Sequence, residues 1–556
     1  MPMQTTQEEA KPRVMSQSNL VKRADFLAGL SATFLGAFVR LANVLPSGFP
    51  LNDGGLFFTF VQEIQAAHYR LPMYSNYNLA SIPFLYPPLS FYLTGLLSTL
   101  TGASLLDLIR VLPSLISILT IPACYLLARN LLKSQLAAAI AAFSFALLPT
   151  AFDFMIVGGG LPRALGFLFC ILALHHAALL YSSGQRIYLV TTAVFAGLTV
   201  LSHPVVAWFT FYSIAVLLLF LRPNRRGLVD SFVVAAGALL MTAPWWWVSI
   251  ARHGLGPFLA AFQAGTRWWS ALLAPFLFLQ TNEPFLTLQA VFALLGLFLS
   301  LHRRQYLVPA WLAAVFMFET RLTATYAVIP TALLVGIGFE QVVLPGLAGV
   351  RDDPPQATPT SSMYRSRTVL AEGIPDTPGT GRWAAKLATG YFLLYLLIAA
   401  YLAAPREALT QPQRQAMEWI RANTPATSQF AVISGIGPAG IDYVSEWFPA
   451  LAGRTSLATP QGYEWFPARV FDRRWSLHSD LQVCMNESTR CLEGWAVGAQ
   501  SPYTHVYLVT HMPGEGDEEN PVDLYASMLS SPGYVQIYHQ GAVAIFSYQP
   551  AKPSSP

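Results

Sequence analysis

Pro87-Pro88-Leu89-Ser90-Phe91-Tyr92-Leu93-Thr94-Gly95-Leu96-Leu97-Ser98-Thr99-Leu100 is apolar, opens on a proline pair and is short. A helix that crosses the hydrocarbon core of a bilayer needs about 20 apolar residues. Read as a span, this segment inverts the charge bias of every loop that follows it. Read as an interfacial or re-entrant helix, it brings the loops at Arg129 to Lys133, Gln185-Arg186, Arg222 to Arg226 and His302 to Arg304 to one side. That side is shared with Lys11, Arg13, Lys22 and Arg23 of the N-terminal tail. The positive-inside rule makes it cytoplasmic.

Outward from that segment, long apolar runs lie near residues 25–45, 106–130, 136–152, 161–182, 187–203, 204–221, 229–250, 285–301, 306–319, 325–344 and 383–403. The first is too long for the core of a signal peptide and reads as an uncleaved span. Composition agrees: 54% of the residues are hydrophobic and 11% charged, against roughly 25% charged in a soluble protein. The net charge of +4 is spread over short clusters, which speaks against a nucleic-acid partner. The expected fold class is an α-helical polytopic membrane protein of about eleven transmembrane helices with a C-terminal extracytoplasmic α/β or α+β domain.

Three regions are expected: a cytoplasmic tail (1–24), a transmembrane module (25–403) and an extracytoplasmic globular domain (404–556). The module contains an exterior loop at 46–105 and a Pro/Thr/Ser/Gly-rich cytoplasmic linker at 346–382, which reads as disordered. In the last region polarity becomes ordinary, with an amphipathic helix near Pro412 to Asn423 and strand-like runs at Phe430 to Ser434, Val506 to Thr510 and Tyr534 to Tyr548. Cys484 and Cys491 flank a short polar loop there and can close a disulfide in an oxidising compartment, worth about 2.5 kcal/mol by loop closure. The sequon Asn486-Glu487-Ser488 lies in the same exterior region.

The first exterior loop opens with Pro50-Leu51-Asn52-Asp53-Gly54-Gly55. A carboxylate at the membrane surface, with glycines permitting close backbone approach, suits general-base work or metal coordination. It equally suits a helix N-cap, because Asp53 precedes the apolar run Leu56 to Ile64. Further on stand Tyr86-Pro87-Pro88-Leu89, then Phe152-Asp153-Phe154, then Gly158-Gly159-Gly160-Leu161-Pro162-Arg163. Glycines ahead of a helix leave N–H groups free for an anion, and an arginine on the first turn adds charge. They are also a flexible loop.

This order of features resembles the GT-C superfamily of membrane glycosyltransferases: a short tail, a first span, an acidic residue opening a long exterior loop, a Tyr-Pro-Pro-Leu helix and a second exterior Asp. The resemblance covers roughly residues 20–403 and is nearest to the protein-mannosyltransferase and aminoarabinose-transferase types. It implies inverting transfer of a sugar from a polyprenyl-phosphate donor to a lipid, glycan or protein acceptor at the exterior face of the cell membrane. It also implies Asp53 as catalytic base or ligand of a divalent cation (Mg or Mn), and Asp153 as the second acidic residue. Where such relatives often carry a Lys or His before the Pro-Pro pair, this chain has Tyr86. Arg163, Arg267 and Arg321 are therefore the candidates for donor phosphate.

Asn52, Tyr86, His203, Glu446 and Glu464 are substrate-contact candidates, the last two from the blocks Glu446-Trp447-Phe448-Pro449 and Glu464-Trp465-Phe466-Pro467. His203 before Pro204 also reads as a helix cap. Trp245-Trp246-Trp247 and Trp268-Trp269 read first as interfacial belt residues, and secondarily as stacking faces for sugars. Arg40 is expected to snorkel to the interface. The rival reading is a transporter or lipid flippase without covalent chemistry, although no internal repeat of the kind transporters carry is visible.

Overall fold

The computed structural model describes residues 17–263, 287–319, 322–348, 380–402, 407–511 and 522–549. The first half runs α1 (Gln17–Val44), α2 (Gly55–Ala66), α3 (Leu89–Thr101), α4 (Leu105–Leu132), α5 (Gln135–Leu147), α6 (Gly160–Ser183), α7 (Arg186–Ser202), α8 (Pro204–Leu221), α9 (Arg225–His253) and α10 (Gly256–Gln263). Apolar helices follow at Leu288–His302, Leu307–Phe318, Thr323–Gly338 and Thr380–Leu402. Each of the eleven apolar runs is helical. Among the described residues seven helices are long and apolar enough to cross a membrane, and five apolar helices are shorter.

Local chemistry sets the boundaries. Ser134 and Asn224 accept N-terminal amides of α5 and α9, as N-cap side chains do. Pro204 at the first turn of α8, after extended His203, separates it from α7. Gly102 and Gly184 end α3 and α6 in the left-handed conformation, where glycine pays no Cβ penalty. In the bundle, α6 packs on α4, α7 and α8, and Leu288–His302 packs on Thr323–Gly338. A Cβ on Gly296 would sit 2.0 Å from the Leu334 carbonyl oxygen, so the last pair meets backbone to backbone.

The decisive segment is α3. Its 13 residues extend about 20 Å, well under the roughly 30 Å hydrocarbon core. Phe91, Thr94 and Gly95 are buried, with Gly95 against Val61 and Gln65 of α2. Leu93, Leu96, Leu97 and Leu100 stay exposed. The segment 46–105 thus folds as α2 and α3 packed side by side in the same direction, Phe57 on Phe91 and Gln65 on Gly95 and Thr99, joined through a small hairpin of β1 (Tyr74–Ser75) and β2 (Ile82–Pro83).

The C-terminal region forms a five-stranded mixed sheet from β3 (Gln429–Ile433), β4 (Thr455–Ser456), β5 (His505–Val509), β6 (Tyr534–Gln540) and β7 (Val543–Tyr548), in the order β4-β3-β5-β7-β6. β3 runs parallel to β4 and β5, and β7 antiparallel to β5 and β6. Helices Gln411–Asn423, Tyr443–Ala452, Ala468–Val483, Thr489–Ala499 and Asp523–Ser530 complete it. The strand-like run Tyr534 to Tyr548 is a hairpin that turns at Gly541, φ 54°. The two-residue strand β4 carries no alternation signal of its own. Cys484 and Cys491 are disulfide-bonded, and Asn486 is exposed.

Arg40 does not snorkel. It is fully buried, donating to Ser117 Oγ (3.0 Å) and the Gly36 and Ala146 carbonyls (3.1 and 2.6 Å), with its guanidinium 4.8 Å from the Phe152 ring centre. The Gly36 carbonyl of α1 and the Ala146 carbonyl in the last turn of α5 supply inside the bundle what the interface would have supplied outside it. Arg267, Arg321, Trp268-Trp269 and most of the linker at 346–382 lie outside the described residues.

Candidate active site

The loop before α2 is bound on every side. Gly54 adopts φ 135°, ψ −9°, which only glycine accepts readily. A Cβ there would meet Gly158 Cα and the Trp447 ring at 3.0 Å. On the facing turn, a Cβ on Gly158 would lie 2.1 Å from the Asp53 carbonyl oxygen, and one on Gly159 would lie 2.3 Å from Asp53 Oδ2. Asp53-Gly54-Gly55 and Gly158-Gly159-Gly160 therefore interlock, and glycines are needed on both faces.

This packing uses up the amides expected to meet phosphate. Gly159 N–H donates to Asp53 Oδ1 (3.0 Å) and to the Asp53 carbonyl (3.1 Å), Gly158 N–H to the Leu51 carbonyl (2.9 Å), and Gly160 N–H to the Val157 carbonyl (2.9 Å). The glycine turn positions Asp53 instead of an anion. Arg163 remains on the first turn of α6. Its Nη1 donates to the Phe154 carbonyl (2.8 Å), while its Nε is buried with no hydrogen-bond partner among the described residues. Asp153 is partly buried in the same turn, beside the carbonyl that anchors Arg163.

Burial pushes the Asp53 carboxyl above its ordinary range, against the Arg163 charge and the Gly159 N–H, which both favour the ionised form. Tyr86 stands in the fields of Arg163, Glu464 and Asp53, and burial raises its phenol. Its ring packs edge-on to His203 (6.0 Å) and Trp465 (6.3 Å). Tyr326 lies in the fields of both Glu319 and Arg163. The structure thus gathers Asp53, Tyr86, Arg163 and Glu464 with Glu319, which the sequence pattern does not single out. Its signal was a single acid ending an apolar run.

Three substrate-contact candidates have other duties. Asn52 is buried at φ 51°. Its amide, oriented to satisfy both ends, donates to the Ile441 carbonyl (3.1 Å) and accepts from Asp53 N–H (3.2 Å). His203 is buried, and its Nδ1 caps α8 at Val206 N–H (3.3 Å). Glu446 is buried, accepting the N–H groups of Gly54 and Gly55 on Oε2 (2.9 Å each) and of Leu56 on Oε1 (3.0 Å).

Beside this cluster is a cavity of about 200 Å³ walled by Trp208, Trp245, Trp465, Phe258 and Pro87, with Glu319 in its lining. Asp53 is not part of the wall; Tyr86, against Trp465, stands between. Trp245 and Phe258 also border an apolar groove of about 660 Å³ among α7, α8, α9 and α10. From Ala207 to Leu218 it follows α8 for about 16 Å. The belt reading of Trp245 is therefore incomplete, because its indole separates cavity from groove. Among the described residues no three His, Cys, Asp or Glu side chains cluster as a metal site requires. The carboxylates present do not make a divalent-cation site by themselves.

Solved structures with the same arrangement are membrane glycosyltransferases. The chain aligns with the oligosaccharyltransferase AglB of Archaeoglobus fulgidus, in complex with an inhibitory peptide and a dolichol-phosphate, over 97% of its length and 75% of that chain (16% identity, TM-score 0.56). A complex of the Archaeoglobus fulgidus enzyme with Zn and sulfate aligns over 94% and 72% (16% identity, TM-score 0.54). ArnT of Cupriavidus metallidurans bound to undecaprenyl phosphate aligns over 96% and 98% (14% identity, TM-score 0.51). This chain has the GT-C fold. Residues 84–345 match the model of a family described as 6-pyruvoyl-tetrahydropterin synthase related domain, membrane protein; the GT-C fold agrees with the second half of that description. No curated protein matches in sequence.

Proposed function

We propose that this GT-C chain is an inverting glycosyltransferase that moves a sugar from a polyprenyl-phosphate donor to an extracytoplasmic acceptor. The observation that carries the reading is the adjacency of a carboxylate–arginine cluster, an indole-walled cavity and an apolar groove along apolar helices. A donor of this class has parts of the same three kinds: a sugar, an anionic phosphate that links it to the lipid, and a long apolar chain. Similar folds bound to dolichol-phosphate and undecaprenyl phosphate support the lipid class.

In the proposed reaction Asp53 takes the proton of the acceptor hydroxyl as its oxygen attacks the anomeric carbon. The bond from that carbon to the phosphate oxygen breaks, and polyprenyl phosphate leaves with the electron pair. Arg163 faces the charge that grows on the leaving oxygen, and its unpartnered Nε is the donor kept for it. One displacement inverts the anomeric centre. The N-terminus lies in the cytoplasm and the cluster outside, as the basic loops require. A divalent cation on Asp53 would need ligands from the substrate or from residues outside those described.

The test is transfer from a radiolabelled polyprenyl-phosphate sugar in proteoliposomes. A covalent product from the wild type, lost in Asp53→Asn at normal expression, is the expected result. Counterflow of lipid or solute without product would replace this reading by transport.

A further inference from the structure

Asp53 lies one residue before Gly54, the N-cap of α2, at the end of the helix where a carboxylate is drawn to the free amides. In this protein it does not cap them. The first amides of α2 are taken by a residue that lies 392 positions later in the chain, Glu446. Its two oxygens satisfy the N–H groups of Gly54, Gly55 and Leu56 together. Asp53 is left to point the other way, to Gly159 N–H and the Arg163 charge.

The surrounding contacts make this a docking arrangement. Trp447 Nε1 donates to the Asn52 carbonyl (2.9 Å), Tyr77 donates its hydroxyl proton to the Glu446 carbonyl (2.6 Å), and Asn52 N–H reaches the Glu407 carbonyl (2.7 Å). Leu51 pairs with Ala408 as a single antiparallel bridge. The helix that carries Glu446 is itself fixed at its start. Asp442 accepts Ser445 N–H (3.0 Å) and the hydroxyls of Ser434 and Ser445 (2.8 and 2.6 Å), and lies 2.8 Å from buried His478 Nε2.

We infer that Glu446 is a positioning residue of the C-terminal domain, which caps α2 in place of Asp53 and so keeps the Asp53 carboxylate free for the acceptor. This rests on the reading of Asp53 as the base. The two carboxylates also feel each other's charge: burial first, and Asp53 second, push Glu446 up to about 8, with the three amides opposing.

Glu446→Gln keeps the shape but sets an NH2 group against one of three N–H donors. Released amides then attract Asp53, which turns from the acceptor toward the helix. The expected result is a fall in kcat of about 10²-fold, the size that small misplacements of reacting groups produce, with KM for donor and acceptor within about 3-fold. The acid limb of the pH–rate profile should move to lower pH, since Asp53 gains amide donors that favour its ionised form. Hydrogen exchange at Gly55 and Leu56 should quicken. Trp447→Phe, which leaves the carboxylate in place, should lower kcat by about 10-fold and serves if Glu446→Gln does not fold. Unchanged exchange in Glu446→Gln, or an unmoved acid limb beside a lower kcat, overturns the inference. Full activity in Asp53→Asn overturns instead the assignment of the base, and leaves the cap to be judged by exchange alone.

Discussion

Two halves of the site are built on opposite principles. Around Asp53, three chain segments approach so closely that four glycines leave no room for a Cβ, and nearly every polar atom is engaged. Around Glu319, three indoles and three phenyl rings line empty volume that borders an apolar groove across Trp245 and Phe258. The contrast separates tasks. In the proposed reaction a proton acceptor is held within a fraction of an ångström, whereas a sugar and its lipid enter and leave. Close packing in a protein interior is unforgiving of even one added carbon, so the two halves should respond to substitution in different ways.

The sharpest break in this comparison is Asp53→Asn against Glu319→Gln. Loss of the base should reduce transfer by about 10³-fold while the protein stays folded, and Glu319→Gln should cost about 10-fold. The reverse order, measured in the same proteoliposome assay, moves the base to the open half. Next, Gly159→Ala forces its Cβ against Asp53 and should lower kcat by about 10²-fold with a lower Tm. An alanine tolerated without either effect would mean that the interlock is loose.

Trp465→Ala should act on the open half alone, raising donor KM by about 10-fold, the scale of losing one aromatic face with its burial, and leaving kcat within about 3-fold. Arg163→Gln sharpens the electrostatics. Activity requires ionised Asp53, so it rises with pH through that group's raised pKa. Removing the cation that favours ionisation raises the pKa further, and the acid limb of kcat/KM should move to higher pH. A shift to lower pH would exclude an Arg163–Asp53 interaction. Smallest of all for activity is Cys484→Ser with Cys491→Ser: Tm should fall by the equivalent of about 2.5 kcal/mol, with the transfer rate unchanged.

Much of this was legible in the sequence, because membrane helices announce themselves through length and apolarity, and loop charge orders them. The interfacial reading of α3 rests on that parity, since with 13 residues it is as long as α5. Within the site, Asp53 and Arg163 were marked by the glycines beside them. The roles of those glycines were not. Gly158 to Gly160 look alike whether they cradle an anion or yield to a carboxylate, and only the partner decides. The same holds for Glu446 and Asn52. A polar residue near a site suggests substrate, but the groups that consumed their hydrogen bonds lie hundreds of positions away, beyond any local pattern. Glu319 carried no signal beyond a single acid at the end of an apolar run.

Arg40 has a consequence for how the chain comes to exist. A charged side chain deep in an isolated helix costs about 2.5–3.5 kcal/mol to insert. The groups that relieve it, Ser117, Ala146 and Phe152, are synthesised some hundred residues after α1 leaves the ribosome. At roughly 5–20 residues per second, α1 waits several seconds or more for them. α1 is therefore completed only after α4 and α5 have followed it, and the order of translation is not the order of assembly.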